Sequence, residues 1–259
     1  MRFIFLILCC VLALQAASPV PLDTVRQFMN GTHEIAALYT VQKGTQIREG
    51  LYRSYHPNGQ LAHEGHYSAG KLDGPWKSWF PNGKLWRELT YKEDQEDGVS
   101  KEWNEKGILI NEKKYKMGEY SGVQKVFDNE GNPVSEESWA NGKLDGTVRL
   151  WDGKILVREL HYKKGHLDGQ LRAWWPDGTL KSEMPFLDGV PNGLVRNYDE
   201  TGKLAYEGEF FKGAKNGKLR RYENGVLVEE QVWKLDQCVS GCDSTQTKAP
   251  KSLKSSSQP

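Results

Sequence analysis

The sequence lacks an excess of either charge, and beyond residue 20 it lacks any long apolar run. It holds 35 lysines and arginines against 34 aspartates and glutamates, and only 37% of its residues are hydrophobic. Nucleic-acid binding needs a basic face that releases counterions, so we expect no nucleic-acid partner. We also expect no stable membrane span once the N-terminal segment described below is removed.

Signatures of catalysis are missing as well. The chain contains no G-x-S-x-G, no Walker loop and no H-E-x-x-H, the motifs that place nucleophiles, phosphates or zinc. Its six histidines show no metal-ligand spacing. They are His33, His56, His63, His66, His161 and His166. We therefore expect that the protein is not an enzyme and has no catalytic residue, metal or cofactor.

The N-terminus departs from this polar composition. Arg2 is followed by an apolar run from Phe3 to Leu14, and then by the small residues Ala16 and Ala17. This order is typical of a secretory signal peptide, and the run is short for a bilayer span. We predict a signal peptide over residues 1–17 and a secreted, periplasmic or cell-envelope location. An uncleaved anchor is the alternative.

Few cysteines remain after that segment. The chain has four, two of which lie in the apolar run, so the mature chain keeps Cys238 and Cys242. In an oxidising compartment, this C-x3-C pair predicts a local disulfide. The sequence after it, "STQTKAPKSLKSSSQP", has no aromatic residue. Residues 237–259 are therefore predicted to hold the cysteine pair and a disordered tail.

What the sequence does have is a repeat of about 24 residues. Each unit opens on a glycine, at Gly50, Gly74, Gly98, Gly122, Gly146, Gly169, Gly193 and Gly217. Five residues later stands a first aromatic column: Tyr55, Trp79, Trp103, Phe127, Trp151, Trp174, Tyr198 and Tyr222. Self-similarity at a fixed period indicates a repeat architecture.

Three further columns follow the same period. A basic residue stands three positions after each opening glycine: Arg53, Lys77, Lys101, Lys125, Arg149, Arg172, Arg196 and Arg220. A glutamate column contains Glu64, Glu88, Glu112, Glu136, Glu159, Glu183, Glu207 and Glu230. A second aromatic column contains Tyr67, Tyr91, Tyr115, Trp139, Tyr162, Phe186, Phe210 and Trp233. Eight equivalent glutamates favour a structural role, because a catalytic pair needs two carboxylates in different environments.

Each unit predicts a β-hairpin. Motifs such as Pro-Asn-Gly lie between the two aromatic columns and supply the residues of a tight turn. A single hairpin is marginal in water, so each must lie against its neighbours. We predict an all-β fold, an elongated single-layer antiparallel meander of about eight stacked hairpins over residues 50–236. Residues 18–49 are predicted to form an N-terminal cap that contributes one or two edge strands.

The hairpin register stays open at this level. A two-residue turn at Asn58 and Gly59 places Arg53 opposite Glu64 and makes the two charged columns a ladder. A three-residue turn with a bulge places Tyr55 opposite Leu61. In both versions the basic and first aromatic columns share a face, since they are two residues apart.

The stretches "GPWKSWFPNGKLWRELTYKEDQED", "GQLRAWWPDGTLKSEMPFLDGVPN" and "GLVRNYDETGKLAYEGEFFKGAKN" resemble the MORN-repeat variant family. That family includes bacterial proteins grouped as YwqK-type antitoxins. The resemblance covers about residues 50–233. It implies stacked antiparallel hairpins and a binding or scaffolding role, and it assigns no catalytic residue.

The first aromatic column is the predicted binding site, with packing between hairpins as the alternative role. We expect an exported, non-catalytic module that binds a protein or forms an envelope scaffold. The alternative is a glycan or cell-wall binding module that uses the aromatic ladder. Positions two and four after each opening glycine vary from unit to unit, for example Tyr52 and Trp76 against Ser100 and Val148. Such variation indicates a face on which the repeats are differentiated.

Overall fold

The computed structural model describes residues 20–242. The predicted signal peptide and the part of the predicted tail after Cys242 lie outside these residues. Within them the chain forms one open antiparallel sheet of 23 strands and no helix. The all-β hairpin meander predicted from the sequence is therefore confirmed. No helix between residues 20 and 242 has the length and apolarity to span a membrane.

The sheet begins with β1 (Leu22–Phe28) and β2 (Ile35–Gln42), which come from the region predicted as the cap. Hairpin one consists of β3 (Arg48–Tyr55) and β4 (Leu61–Ser68), and hairpin two of β5 (Lys71–Trp79) and β6 (Leu85–Lys92). In hairpin three the first strand is divided into β7 (Gln95–Glu96) and β8 (Gly98–Trp103), and the second is β9 (Leu109–Lys116). In hairpin four the first strand is divided into β10 (Glu119–Tyr120) and β11 (Gly122–Phe127), and the second is β12 (Pro133–Ala140). Strand β1 pairs with β2, and β2 pairs with β3, so the N-terminal strands continue the same sheet.

Hairpin five consists of β13 (Lys143–Asp152) and β14 (Ile155–Lys163), and hairpin eight of β21 (Ala214–Glu223) and β22 (Val226–Lys234). In hairpin six the first strand is divided into β15 (His166–Leu167) and β16 (Gly169–Trp174), and the second is β17 (Leu180–Leu187). In hairpin seven the first strand is divided into β18 (Val190–Pro191) and β19 (Gly193–Tyr198), and the second is β20 (Leu204–Phe211). The short strand β23 (Gln237–Ser240) covers part of β22. Each hairpin is numbered here from one to eight in chain order.

Each hairpin contains both of the strand pairings that the sequence left as alternatives. In hairpin one, the amide of Gly59 donates to the carbonyl of His56 over 2.8 Å, which makes a three-residue turn. Tyr55 then faces Leu61, as that turn requires, but Ala62 bulges out of the ladder and Arg53 faces Glu64. The longer turn shifts the cross-strand pairing by one residue, and the bulge shifts it back by one.

The same bulge recurs in all eight hairpins. The bulged residues are Ala62, Trp86, Ile110, Val134, Val157, Lys181, Ala205 and Val228. Hairpins five and eight have shorter turns, closed by the pairs Asp152–Ile155 and Glu223–Val226, and keep the bulge. The register is therefore a property of the repeat and does not depend on turn length.

The segments between units are tight hairpin turns as well. After Tyr67 the chain reverses at Ala69 and Gly70, whose φ angles are 49° and 85°. Both central residues are left-handed, as the two-residue turn that matches strand twist requires. Because the connectors between units reverse this tightly, consecutive units join into one sheet without a gap.

The sheet is a single layer, so its interior is thin. Among residues 20–242 no large side chain is fully buried. Val148, Val195 and Leu219 are buried, and each stands two positions after an opening glycine, on the face opposite the charged columns. Buried Ser100 and Gln124 occupy the same position in hairpins three and four. Stability therefore comes from contacts between neighbouring strands.

Candidate binding surfaces

One face of the sheet, here called the ladder face, carries the basic and glutamate columns. Each of the first seven glutamate strands lies between two basic strands, its own and that of the next hairpin, whereas the strand of Glu230 has only its own. Side chains of alternating charge therefore cross the whole sheet in one row. The row runs Arg53, Glu64, Lys77, Glu88, Lys101, Glu112, Lys125, Glu136, Arg149, Glu159, Arg172, Glu183, Arg196, Glu207, Arg220 and Glu230.

Arginines make the closest contacts of this ladder. Arg149 reaches Glu136 at 3.0 Å on one side and Glu159 at 2.9 Å on the other. Lys77 and Lys101 reach only their own glutamates, Glu88 and Glu112, at 3.9 and 3.5 Å. The guanidinium fork can serve two carboxylates at once, whereas an ammonium acts as a point charge. Arg149, Arg172 and Arg220 thus join neighbouring hairpins as well as the two strands of one hairpin.

At the C-terminal end of the ladder, hydrogen bonds lower the pKa of two glutamates. Arg220 donates to Glu207 over 2.9 Å and to Glu230 over 2.7 Å. The hydrogen bond from Arg220 is the main cause that lowers the pKa of Glu207, and Tyr222 adds a second hydrogen bond. Arg220 also lowers the pKa of Glu230. These carboxylates are held ionised, the reverse of the raised pKa that a catalytic acid needs.

A pH dependence follows from Glu207. Because its pKa in the folded chain is below the ordinary 4.5, its contribution to stability is complete above that value and is lost as pH falls through the lowered pKa. We expect Glu207→Gln to lower the melting temperature at pH 7 by about 2–4 °C, the shift that roughly 1 kcal/mol produces in a chain of this size.

The same variant should match the wild-type chain once the pH is below both pKa values. Thermal unfolding of the two chains, followed by circular dichroism between pH 7 and pH 2, checks this. A melting-temperature difference that stays constant across the range would show that Glu207 does not act through its charge.

The first aromatic column, predicted as the binding site, lies beside the ladder on the same face. Each member faces an apolar residue across its hairpin, in the pairs Tyr55–Leu61, Trp79–Leu85, Trp103–Leu109, Phe127–Pro133, Trp151–Leu156, Trp174–Leu180, Tyr198–Leu204 and Tyr222–Leu227. All eight aromatic side chains are half-buried. The structure brings all of them into one line, in which consecutive members are two strands, or about 10 Å, apart.

Members of this line differ in how they are held. The hydroxyl of Tyr222 donates to Glu207 over 2.9 Å, and that of Tyr198 donates to Glu183 over 3.4 Å. These two tyrosines are tied to the ladder of the preceding hairpin. Burial is the main cause that raises the pKa of Tyr198, with Glu183 beside it.

The tryptophans of the line are not tied in this way. Within residues 20–242 the indole N–H groups of Trp79, Trp103, Trp151 and Trp174 donate no hydrogen bond, and none of these groups is buried. By contrast, four of the five other tryptophans donate a hydrogen bond through this group: Trp76 to Ser78, Trp139 to Glu137, Trp175 to the carbonyl of Tyr198 and Trp233 to Gln231.

The second aromatic column lies on the other face, here called the opposite face, together with the variable positions. At hairpins one and two these combine into an aromatic cluster. The rings of Tyr52 and Trp76 are stacked, with centroids 5.7 Å apart, and Tyr67 and Tyr91 meet Trp76 edge-on. Arg48 lies 5.0 Å above the ring of Tyr67.

Sequence reasoning missed this cluster as a site. It identified Tyr52 and Trp76 as variable positions but did not bring them together. The available signal was Gly65, a glycine inside a strand, which marks a close approach. Gly65 pairs with Tyr52 on one side and Trp76 on the other, so both rings can lean over it.

The predicted disulfide pair lies at the C-terminal edge of the described chain. The Cα atoms of Cys238 and Cys242 are 6.3 Å apart, within the range that a disulfide spans. The disulfide itself stays a prediction. In residues 20–242 no three His, Cys, Asp or Glu side chains group as metal ligands would.

Comparison with known proteins adds the following. A family model described as "MORN repeat variant" matches residues 48–69, 72–93, 167–188 and 191–212, which contain hairpins one, two, six and seven. This match concerns the repeat alone, so the grouping with YwqK-type antitoxins stays a prediction. No curated protein matches the chain.

Among solved structures, one titled "Crystal Structure of TcdB2-TccC3-Cdc42" aligns at 13% identity and a TM-score of 0.17. The alignment covers 76% of this chain and 13% of that one. A similarity this low supports no conclusion about fold or function.

Proposed function

Because this chain is built from MORN repeat variants, we propose that it is exported and acts as a non-catalytic scaffold that binds another protein through its ladder face. One observation carries the proposal. Trp79, Trp103, Trp151 and Trp174 stand in line on that face with indole N–H groups that reach solvent. A partner could cover their rings and accept hydrogen bonds from them.

The composition of this face supports a protein partner. Residues that dominate protein interfaces are tryptophan, tyrosine and arginine, with an apolar centre beside a polar margin. Here the aromatic line and its leucines form an apolar stripe, and the charge ladder runs alongside it. Alternating charges favour a partner of complementary pattern and therefore give specificity more than affinity.

The role of the glutamates supports a non-catalytic function. Each of the eight faces a basic residue across its hairpin, and the resolved shifts, at Glu207 and Glu230, lower the pKa. A protein that needed a general acid would keep one carboxyl apart from the others, with a raised pKa. Export is supported by the apolar N-terminal segment with its small residues at positions 16 and 17.

The test is capture of the partner by the mature chain, residues 18–259, from the envelope fraction of its source. We expect a chain with Trp79→Ala, Trp103→Ala and Trp174→Ala to keep its β-sheet circular dichroism and to lose at least about nine-tenths of the captured protein, since interface tryptophans each contribute ~2 kcal/mol or more.

Trp139→Ala with Trp233→Ala is the matched control. Both residues lie on the opposite face and are held by their own N–H groups, so capture should continue. Equal loss of capture in the control, or unfolding of the triple variant, would show that the aromatic line serves packing rather than binding.

A further inference from the structure

The aromatic cluster of the opposite face has the shape of a shallow slot. Its floor is Trp76, which lies flat against the backbone. A Cβ added to Gly65 would fall on the six-membered ring of that indole, since the nearest ring atoms lie within 3 Å of it. The ring of Tyr52 packs nearly parallel to that of Trp76, at 17° with the centroids 5.7 Å apart.

Tyrosines form one wall of the slot. Tyr67 and Tyr91 are inclined at 82° and 90° to the indole plane, with centroids 6.5 and 6.4 Å from it. Burial is the main cause that raises the pKa of Tyr91, so its hydroxyl stays protonated and able to donate. The wall therefore combines an apolar ring with a hydroxyl.

The side across from this wall is polar. His63 contacts the hydroxyl of Ser78 through Nδ1 at 2.8 Å, and the indole N–H of Trp76 donates to the same hydroxyl over 3.2 Å. The Oγ atom of Ser54, the residue that faces His63 across the hairpin, is buried without a hydrogen-bond partner within residues 20–242. Polar groups thus line one side of an apolar floor.

The repeat does not need these aromatics to fold. The positions of Tyr52 and Trp76 are filled in the other hairpins by Ser100, Gln124, Val148, Leu171, Val195 and Leu219. Hairpins with those residues keep the same pairing and the same bulge. Large rings that the architecture can omit, and that remain half-exposed, indicate a surface kept for a ligand.

We propose that this slot binds a pyranose unit of an uncharged saccharide, whose C–H face stacks on Trp76 while its hydroxyls meet His63 and the tyrosine hydroxyls. A flat ring with polar groups at its margin suits a ligand that has one apolar face and a polar rim. The proposal concerns a different face and a different ligand from the protein-binding ladder face. It also moves the glycan alternative from the first aromatic column to Tyr52 and Trp76.

A cationic ligand, the other usual occupant of aromatic cages, fits less well. The guanidinium of Arg48 already lies over the rings of Tyr39, Tyr52 and Tyr67, at 5.0, 5.4 and 5.0 Å. A second cation beside it would meet repulsion from that guanidinium. An uncharged ligand meets no such cost.

The test is isothermal titration of the mature chain with cellotetraose, chitotetraose and choline. We expect one of the two tetrasaccharides to bind and choline not to bind. Trp76→Leu, which keeps an apolar side chain over Gly65, should weaken saccharide binding about tenfold, equivalent to ~1.4 kcal/mol. Tyr52→Leu should weaken it in the same direction.

Trp79→Leu, on the ladder face, is the control and should leave the saccharide affinity within about twofold of the wild-type value. Three results would overturn the proposal: neither tetrasaccharide binds, choline binds more tightly, or Trp79→Leu weakens binding as much as Trp76→Leu. None of these results bears on partner capture by the ladder face.

Discussion

Gly146→Ala is expected to destabilise the chain by about 3 kcal/mol or more, and Gly153→Ala in the same hairpin by only about 1 kcal/mol. Gly146 has φ of +113°, and a Cβ there would lie 2.8 Å from the Cβ of Ser138. Gly153 has φ of +57° with nothing within 4 Å of an added Cβ. The second angle lies in the left-handed region that other residues visit, and the first does not.

Urea unfolding of the two variants, followed by tryptophan fluorescence and circular dichroism, measures the difference. The two glycines belong to one hairpin, so local context and repeat number are matched. If both variants lost the same stability, the opening glycine would be only a flexible turn residue, and the close approach to the preceding strand would carry no cost.

The opening glycines also explain why the repeat begins where it does. Gly193 has φ of +122° and approaches the side chain of Pro185, and Gly169 has φ of +120° and approaches His161. In each case the strand enters the sheet over a side chain of the preceding hairpin. A side chain at this position would force adjacent units apart, so the period of the sequence coincides with the contact between units.

The sequence was sufficient to predict the hairpins because their causes are local. Pro57, Asn58 and Gly59 form the turn with their own backbone preferences, and alternation assigns Arg53 and Tyr55 to one face. Such features depend on residues within one unit, and eight copies made them visible above chance. The charge ladder needed in addition the hairpin register, which the sequence left open.

The register could not be predicted because two irregularities compensate each other. The three-residue turn at His56 shifts the pairing by one, and the bulge at Ala62 shifts it back. The turn alone would place Tyr55 opposite Leu61 but move Arg53 out of line with Glu64, and the bulge alone gives neither of the two registers considered. No residue type marks the bulge, since Ala62, Trp86 and Lys181 all occupy it.

The division of the aromatic line into tied and untied members was also beyond the sequence. Only a phenol reaches the glutamate of the preceding hairpin, as Tyr222 reaches Glu207. Whether Trp79 or Trp103 finds a partner for its N–H depends on side-chain directions that spacing does not give. The cluster at Trp76 likewise needs the pairing of Gly65 with two strands, one of them from the next unit.

The sheet consists of interchangeable hairpins held by one continuous ladder. Deleting residues 122–145 joins Ser121 to Gly146, the next opening glycine. Glu112, which faces Lys125 in the intact chain, would then face Arg149, so charges still alternate. Trp139 and its cross-strand neighbour Leu144 leave together. We expect a folded sheet that is shorter by about 10 Å, two strand spacings.

Deleting only residues 122–132 is the control. It removes one strand and one turn but keeps the reversal at Met117 and Gly118, so that β12 takes the place of β11 beside β9 and Glu136 comes to face Glu112. Like charges in adjacent strands, together with the loss of the opening glycine Gly122, should make this variant less stable than the 122–145 deletion.

Small-angle X-ray scattering of the intact chain and of the 122–145 deletion is the most direct measurement. We expect a maximum dimension reduced by about 10 Å with the β-sheet circular dichroism per residue unchanged. A 122–145 deletion that is unfolded, or no more stable than the 122–132 control, would contradict this expectation.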